Sequence, residues 1–211
     1  YQPGKSGNPK YKDKSLFEGR LLERELSDAE NGRYTSPEER PFNNNLPEPV
    51  REFQRPESEI AIQDFNVINL TAEIQKAYAQ LIAKICKPGD DPLNFGSSVD
   101  CDLDAIRAIS ERIHYGSIYV AERKFQDNQE GYMPLIQSRD EQGLIKKLTR
   151  PEVEERIIQR VKEKVQHYQQ GVNPNLRHLI DPEAIATFYK ECIIPLTKKG
   201  EILYLLNRRL D

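Results

Sequence analysis

Residues Phe95 to Phe125 read FGSSVDCDLDAIRAISERIHYGSIYVAERKF, and the rest of the chain is organised around them. After the opening Gly-Ser-Ser the stretch has no proline and a single glycine, Gly116, so it can form about eight helical turns. Ser97, Ser98 or Asp100 can cap its start. Apolar residues recur at three- and four-residue steps, which predicts one buried stripe: Leu103, Ile106, Ile109, Ile113 and Val120.

Four cationic side chains share this predicted helix with the apolar stripe: Arg107, Arg112, Arg123 and Lys124. An arginine or lysine beside an apolar face is usually a surface residue whose aliphatic stem covers the edge of the core. Taken alone, the pattern therefore indicates a solvated helix face rather than a binding site.

The composition bounds the class of protein. The chain has 211 residues and a formal net charge of −3, which allows a sizeable core and gives no global basic field toward nucleic acid or an anionic membrane. No apolar run reaches the roughly 18 residues of a membrane-spanning helix. Cys86, Cys101 and Cys192 are scattered and match neither a metal site nor a disulfide framework. We expect three buried thiols and a reducing, cytoplasmic compartment.

The first third of the chain is predicted to be loop, helix and irregular segment in turn. Residues 1–14 are rich in Gly, Pro and Lys and predict a loop or tether before a single all-α domain, 15–211. Ser15 and Glu18 form a capping box for a helix that ends at Asn31-Gly32, with its buried face made of Leu16, Phe17, Leu21, Leu22 and Leu26. Residues 35–69 carry turn signals with interspersed apolar residues, which predicts a packed irregular segment: Phe42, Val50, Phe53, Ile60, Ile62, Phe65, Val67 and Ile68.

Further helices are predicted on either side of the central one. They cover 70–86, where Lys87-Pro88-Gly89 stops the helix, and then 132–138, 141–148 and 151–169. Asp181 and Pro182 start the last helix, in which Pro195 predicts a kink. No period-two pattern indicates a strand, so the predicted fold class is all-α.

Six side chains could form a site between these helices: Arg112, Lys124, Arg150, Glu154, Thr197 and Glu201. Thr197 and Glu201 are four residues apart and so share a helix face. The chain shows no nucleophile elbow, no phosphate-binding Gly loop, no Cys/His pairing and no metal-ligand spacing among its three histidines. The set suits binding of a small polyanion rather than covalent catalysis, although each residue taken alone fits a solvated helix face better than a binding site.

Five segments resemble, in the same order, the chorismate mutases of plants and fungi: RYTSPEERPF (33–42), NFGSS (94–98), SERIHYGSIYVAERKF (110–125), LTRPEVEERI (148–157) and IIPLTKKGEILYLLNRRLD (193–211). The resemblance implies an all-α homodimer with a long central helix. It implies an isomerase, an intramolecular transferase of phenylalanine and tyrosine biosynthesis that converts chorismate to prephenate without cofactor or metal.

The resemblance also implies roles for individual residues. Arg112 would clamp one substrate carboxylate, and Lys124 would lie near the other carboxylate and the ether oxygen. Glu201 would reach that ether oxygen as a protonated acid, Glu154 would accept from the substrate hydroxyl, and Thr197 would add a hydrogen bond. A separate group matches the family's tyrosine or tryptophan effector site at the dimer interface: Arg33, Asn94, Gly96 and Ser97.

Three departures from the family pattern matter. The segment between Gly116 and Lys124 is one residue longer, which places Arg112 and Lys124 twelve residues apart; eleven is close to three whole turns, and the twelfth residue adds about 100°. We therefore expect a π-bulge between Gly116 and Tyr119. Arg150 replaces the family's asparagine and is a further candidate for substrate binding. The family's first helix, with a second substrate-binding arginine, would lie upstream of Tyr1, so we expect a longer native protein and weak activity from these residues alone.

Two alternatives stay open at the level of sequence. A catalytically silent relative could serve as a binding partner or regulator and would share the fold. A generic helical scaffold would require the ordered motif matches to be coincidental.

Overall fold

The computed structural model describes residues 1–52, 60–62, 64–87, 89, 93–175 and 178–210. Across these ranges the regular structure is helical, apart from an isolated antiparallel bridge between Ile62 and Arg208. The all-α prediction is therefore confirmed. Phe53 and Pro88, expected to pack and to end a helix, lie outside the described residues.

The α-helices of the described ranges follow the predicted order. They are α1 (Leu16–Glu30), α2 (Thr71–Ile85), α3 (Phe95–Tyr115), α4 (Ala121–Asp127), α5 (Gln129–Gln137), α6 (Glu141–Leu148), α7 (Pro151–Gln169), α8 (Pro182–Phe188) and α9 (Ile194–Asn207). Two π-helical segments join neighbours into continuous rods, Gly116–Val120 between α3 and α4 and Tyr189–Ile193 between α8 and α9.

The rod of α3, the first π segment and α4 passes through two apolar cores. The first core packs Leu103, Ile106 and Ile113 against α1, α2 and the α8 region. The second packs Ile118 and Phe125 against α5, α6 and the end of α9. The changeover between the cores falls on the π segment, which places that irregular turn at the middle of the molecule.

Helix ends agree with the predictions in some places and differ in others. Ser15 accepts from the Glu18 backbone N–H at 3.1 Å while the Glu18 carboxylate accepts from Ser15 N at 2.8 Å, so the capping box is confirmed. The caps predicted for the central helix are wrong. It begins at Phe95 after Asn94, and Ser97 and Ser98 lie inside its first turn.

A kink was predicted at Pro195 in the last helix. The structure instead has a π-helical segment, Tyr189–Ile193, before this proline, and Pro195 lies in the first turn of α9, where a residue without an N–H is tolerated.

Several predicted core residues are exposed. Leu26, Val50 and Val67 are 37%, 80% and 45% exposed, so their apolar character did not predict burial. Cys86 and Cys101 are exposed as well, so the prediction of three buried thiols holds only for Cys192.

The first fourteen residues are more tightly packed than a free tether. Pro9–Tyr11 forms a 3₁₀ turn, and the buried Tyr11 ring covers Gly19 on α1. Tyr1 stacks on Phe17 with ring centroids 5.0 Å apart. In the described part of the chain no helix is long and apolar enough to cross a membrane.

Candidate active site

The first π segment sets the direction of two cations. It spans Gly116–Val120, where the bulge was predicted. Its wider turn absorbs the extra residue, so that Arg112 before it and Lys124 after it both line one cavity of about 240 Å³, here called the central cavity. The same turn brings Val120 to the cavity, where it is 36% exposed, and removes it from the predicted buried stripe.

Two glycines allow α9 to approach the π segment closely. A Cβ on Gly116 would lie 2.7 Å from Thr197 Cγ2 and 3.2 Å from Arg112 Nη1. A Cβ on Gly200 would overlap the Ser117 side chain. The Ser117 hydroxyl is buried and lies 2.7 Å from Ile113 O and 3.3 Å from Thr197 O, so it ties the π segment to α9. Only hydrogen atoms fit at these two positions without movement of a neighbour.

The central cavity collects all six predicted site residues from three parts of the chain. Arg112 and Lys124 come from the central rod, Arg150 and Glu154 from the start of α7, and Thr197 and Glu201 from α9. The remaining wall is largely apolar: Val120, Leu148, Val153, Ile157, Tyr189, Ile193 and Ile194. Apolar walls lower the local dielectric and strengthen the interactions of the charged groups between them.

Lys124 and Glu201 form a pair at the inner end of the site. Lys124 Nζ lies 2.7 Å from Glu201 Oε1, with the Glu201 side chain 5% and the Lys124 side chain 26% exposed. Burial raises the pKa of Glu201 above its ordinary value, and the opposing effect of Lys124 is smaller. Glu201 can therefore hold a proton at a pH where an exposed glutamate has lost it, as the sequence comparison with the family implied.

Lys198 belongs to the cavity and was missed by the sequence analysis. Its Nζ lies 2.9 Å from both Glu154 Oε1 and Thr149 Oγ1. The signal for it was available, because Lys198 is three residues before Glu201 and so lies on the same helix face.

The cations of the cavity divide into paired and unpaired groups. Lys124 and Lys198 each contact a carboxylate. Neither Arg112 nor Arg150 has a carboxylate partner in the described ranges. A cavity lined by these two guanidinium groups and by two lysine–glutamate pairs can accommodate a small dianion, since each guanidinium can bind one carboxylate through two parallel hydrogen bonds.

Thr197 faces the cavity as an acceptor. Its hydroxyl donates to the Ile193 carbonyl oxygen at 2.7 Å, within the second π segment. The lone pairs of Oγ1 are then the part of the group that remains for a ligand, so this hydroxyl can accept a hydrogen bond from it.

A buried ionic network supports the wall behind Lys124. Arg208 donates to both oxygens of Glu122, at 2.8 and 2.9 Å, and Tyr204 donates to Oε2 at 2.5 Å. Burial alone would raise the pKa of Glu122, but the hydrogen bonds from Arg208, Tyr204 and Gln126 together lower it. The Arg208 guanidinium also lies 3.8 Å above the centre of the Phe125 ring. Because Glu122 and Phe125 flank Lys124, this network holds α4 in place.

A second cavity of about 200 Å³ lies between α2 and α8, and its charged lining residues are Glu73, Lys84 and Glu191. Of these, Glu73 is bound to Lys199 at 2.6 Å. Burial raises the pKa of the Cys192 thiol in its wall to about 11, so that thiol is unreactive near neutral pH. This cavity lacks the convergent cations of the central one.

The four residues matched to an effector site lie in two groups. Arg33 Nη2 lies 2.8 Å from Glu39 Oε1 and 2.7 Å from Glu111 Oε1, on the second half of α3. Asn94, Gly96 and Ser97 are exposed at the start of α3, about 25 Å from Glu111 along the helix axis at roughly 1.5 Å per residue. One chain alone therefore does not bring Arg33 together with the other three.

The comparison with known proteins identifies the family. A family model described as Chorismate mutase type II matches residues 96–202. The chorismate mutase of Schizosaccharomyces pombe is 38% identical over 217 residues, covering 100% of this chain and 84% of that protein. The chain is a type II chorismate mutase family member.

Solved structures of the family have the same fold. The Aro7p chorismate mutase of Candida albicans, in complex with L-Trp, superimposes with a TM-score of 0.86 at 37% identity, covering 99% of this chain and 79% of that one. The structure of AtCM1 with tyrosine bound in its allosteric site gives a TM-score of 0.82 at 37% identity, covering 94% and 79%. The chorismate mutase fold therefore extends across almost the whole chain.

Proposed function

We propose that the chain is an isomerase that rearranges chorismate to prephenate in the central cavity. The observation that supports this most directly is the convergence of Arg112, Lys124, Glu154, Thr197 and Glu201 on one cavity through a π turn. Chorismate carries two carboxylates, a ring hydroxyl and an ether oxygen, so the charges and acceptors of the cavity match its groups in number and kind.

The reaction needs orientation and charge stabilisation from the protein. One bond breaks while another forms in a single step, so no nucleophile is required. Arg112 binds one carboxylate and Arg150 binds the other, since these are the guanidinium groups of the cavity and neither has a carboxylate partner among the described residues. The bound molecule is then held in the folded conformation in which its reacting carbons meet.

Lys124 and Glu201 act on the ether oxygen, which gains negative charge as its carbon–oxygen bond lengthens. Lys124 donates from its ammonium group, and protonated Glu201 donates from its carboxyl group, whose pKa is raised by burial. Glu154 accepts from the ring hydroxyl, and Thr197 accepts a hydrogen bond through its free lone pairs. Each donor toward the ether oxygen is worth about 2.7–4 kcal/mol in the transition state, or roughly two to three decades in rate.

The test is the loss of chorismate absorbance in the presence of the purified chain. We expect turnover by the wild type and a loss of two or more decades in kcat/KM for Arg112→Ala. Arg123→Ala, on the outer face of α4 with a side chain 79% exposed, is the matched control and should stay active. A folded wild type without turnover would instead support the silent relative that binds without catalysis.

Arg150 has its own outcome in the same assay. If Arg150 binds the second carboxylate, the 211 residues are active without a further cation, and Arg150→Asn raises KM or lowers kcat/KM by at least tenfold. Equal activity of Arg150→Asn and wild type would exclude this role and leave the second carboxylate to another cation.

We further propose a homodimer with an aromatic amino-acid effector site between its subunits. Relatives were solved with tryptophan, tyrosine and phenylalanine bound, the last two in an allosteric site. The distance between Arg33 and the start of α3 requires Arg33 of one subunit to meet Asn94, Gly96 and Ser97 of a second. Sedimentation and calorimetry with tyrosine and tryptophan test this, and a monomer, or a dimer that binds neither amino acid, would contradict it.

A further inference from the structure

Lys198 connects three helices at one wall of the central cavity. Its ammonium group donates to Glu154 Oε1 on α7 and to Thr149 Oγ1 at the end of α6, each at 2.9 Å. The Thr149 hydroxyl donates to the Ile145 carbonyl oxygen at 2.8 Å, so a lone pair is directed at the lysine. The Lys198 side chain is only 20% exposed, which makes the contact a partly buried one.

The contact restrains a carboxylate that is otherwise open to solvent. The Glu154 side chain is 29% exposed, and within the described residues Lys198 is the group that bonds its carboxylate. A glutamate side chain has several rotamers at such a site, and most of them would turn the carboxylate toward water. With Oε1 fixed by Lys198, Oε2 remains as an acceptor at the wall of the cavity.

We propose that Lys198 is a positioning residue, which holds Glu154 so that its second oxygen accepts the ring hydroxyl of the substrate. The inference rests on the proposed function, because it assigns a group of chorismate to Glu154. It gives Lys198 no direct contact with the reacting atoms. Two of its three N–H donors are already occupied by Glu154 and Thr149, and its charge is already balanced by Glu154.

The adjacent lysine provides a matched control. Lys199 also forms an ion pair, with Glu73 at 2.6 Å, but its side chain is 51% exposed and it lies outside the central cavity. Lys198→Met and Lys199→Met therefore make the same chemical change at neighbouring positions of one helix, each breaking one lysine–glutamate pair.

The experiment measures both variants with chorismate and with its analogue that lacks the ring hydroxyl. We expect Lys198→Met to lower kcat/KM for chorismate roughly 10- to 100-fold and to change it less than about threefold for the analogue. Lys199→Met should leave both values near those of the wild type. Lys198→Arg, which keeps two donors, should recover part of the loss with chorismate alone.

The outcomes separate this inference from the proposed function. An equal loss with both substrates, or no loss in Lys198→Met, would overturn the positioning role. Calorimetric Kd values for both ligands give the same comparison without turnover, so an inactive wild type refutes only the proposed reaction. If Lys198→Met does not fold, Thr149→Val removes the second anchor of the lysine and should give a smaller loss, again confined to chorismate.

Discussion

His114 should make the stability of the protein fall steeply in mild acid. Its ring is fully buried on α3, where Nε2 accepts from the Leu70 backbone N–H at 3.1 Å and Nδ1 donates to the Ser110 carbonyl at 2.8 Å. These partners require the neutral ring, because a proton on Nε2 would face the N–H of Leu70. Burial is the main cause that lowers the pKa of His114 from 6.5 to about 4.

The size and sign of the effect follow from these two pKa values. Between about pH 6.5 and 4 the unfolded chain binds a proton at this residue and the folded chain does not, so stability is lost as the pH falls through that window. The loss approaches about 1.4 kcal/mol per pH unit and reaches about 2 kcal/mol at pH 5.

Urea unfolding at pH 7.5 and pH 5.0 measures this loss. We compare the wild type with His114→Gln, which keeps an acceptor and a donor but does not titrate. The wild type should lose about 2 kcal/mol more than His114→Gln between the two values of pH, since the other titrating groups are common to both. His167→Gln changes an exposed histidine of α7 and serves as the control; it should follow the wild type.

The same experiment can refute the reasoning. If wild type and His114→Gln lose equal free energy between pH 7.5 and 5.0, His114 carries its proton in the folded protein. The hydrogen bond from Leu70 to Nε2 would then be wrong, and with it the link between the start of α2 and the central rod.

Three other substitutions test the packing and chemistry around the central cavity. Gly116→Ala places a Cβ 2.7 Å from Thr197 Cγ2, so it should lower the free energy of unfolding by about 1–3 kcal/mol and should also lower kcat/KM. Gly96→Ala has open space around its Cβ and should stabilise α3 by up to about 1 kcal/mol. Melting curves distinguish the two, and identical shifts would contradict the close approach of α9. For Glu201, kcat of the wild type should fall about tenfold per pH unit above the raised pKa while Glu201→Gln stays flat; parallel pH profiles would remove Glu201 as an acid. Arg208→Met leaves the Glu122 carboxylate buried without its cationic partner and should lower the free energy of unfolding by about 3–5 kcal/mol. Arg123→Met, which breaks an exposed pair with Asp127, should change it by less than about 0.5 kcal/mol in the same urea titration, and equal effects would show that the buried pair adds no stability.

Local rules predicted much of the fold. Ser15 and Glu18 satisfy each other's backbone donors within four residues, so the start of α1 is readable from the sequence alone. The π turn was predictable because the number of residues between Gly116 and Lys124 can be read from the sequence and compared with the length of the same segment in the family. The convergence of Arg112, Lys124, Glu154 and Glu201 followed from the same reference.

Features that depend on tertiary neighbours were not predicted. Leu26 and Cys101 have the apolar character of core residues, yet both are exposed, because burial depends on what the rest of the fold places against each helix face. Lys198 contacts Thr149 and Glu154, which lie about fifty residues earlier in the chain. The periodicity of one helix does not predict contacts between helices that are so far apart in sequence. The Glu122–Arg208 pair joins α4 to the end of the chain and has no local signature.

The position of the π turn has a consequence for how the central cavity can vary. Ile113 is anchored in one core and Ile118 in the other, so the two halves of the rod are clamped separately on either side of the turn. A residue gained or lost in a helix rotates everything beyond it by about 100°. Because Ile113 and Ile118 keep each half of the rod in its own core, a residue gained or lost between them is taken up within the turn, and the relative phase of Arg112 and Lys124 is preserved. The segment thus tolerates a change of one residue in length between the two cations without moving either of them out of the cavity.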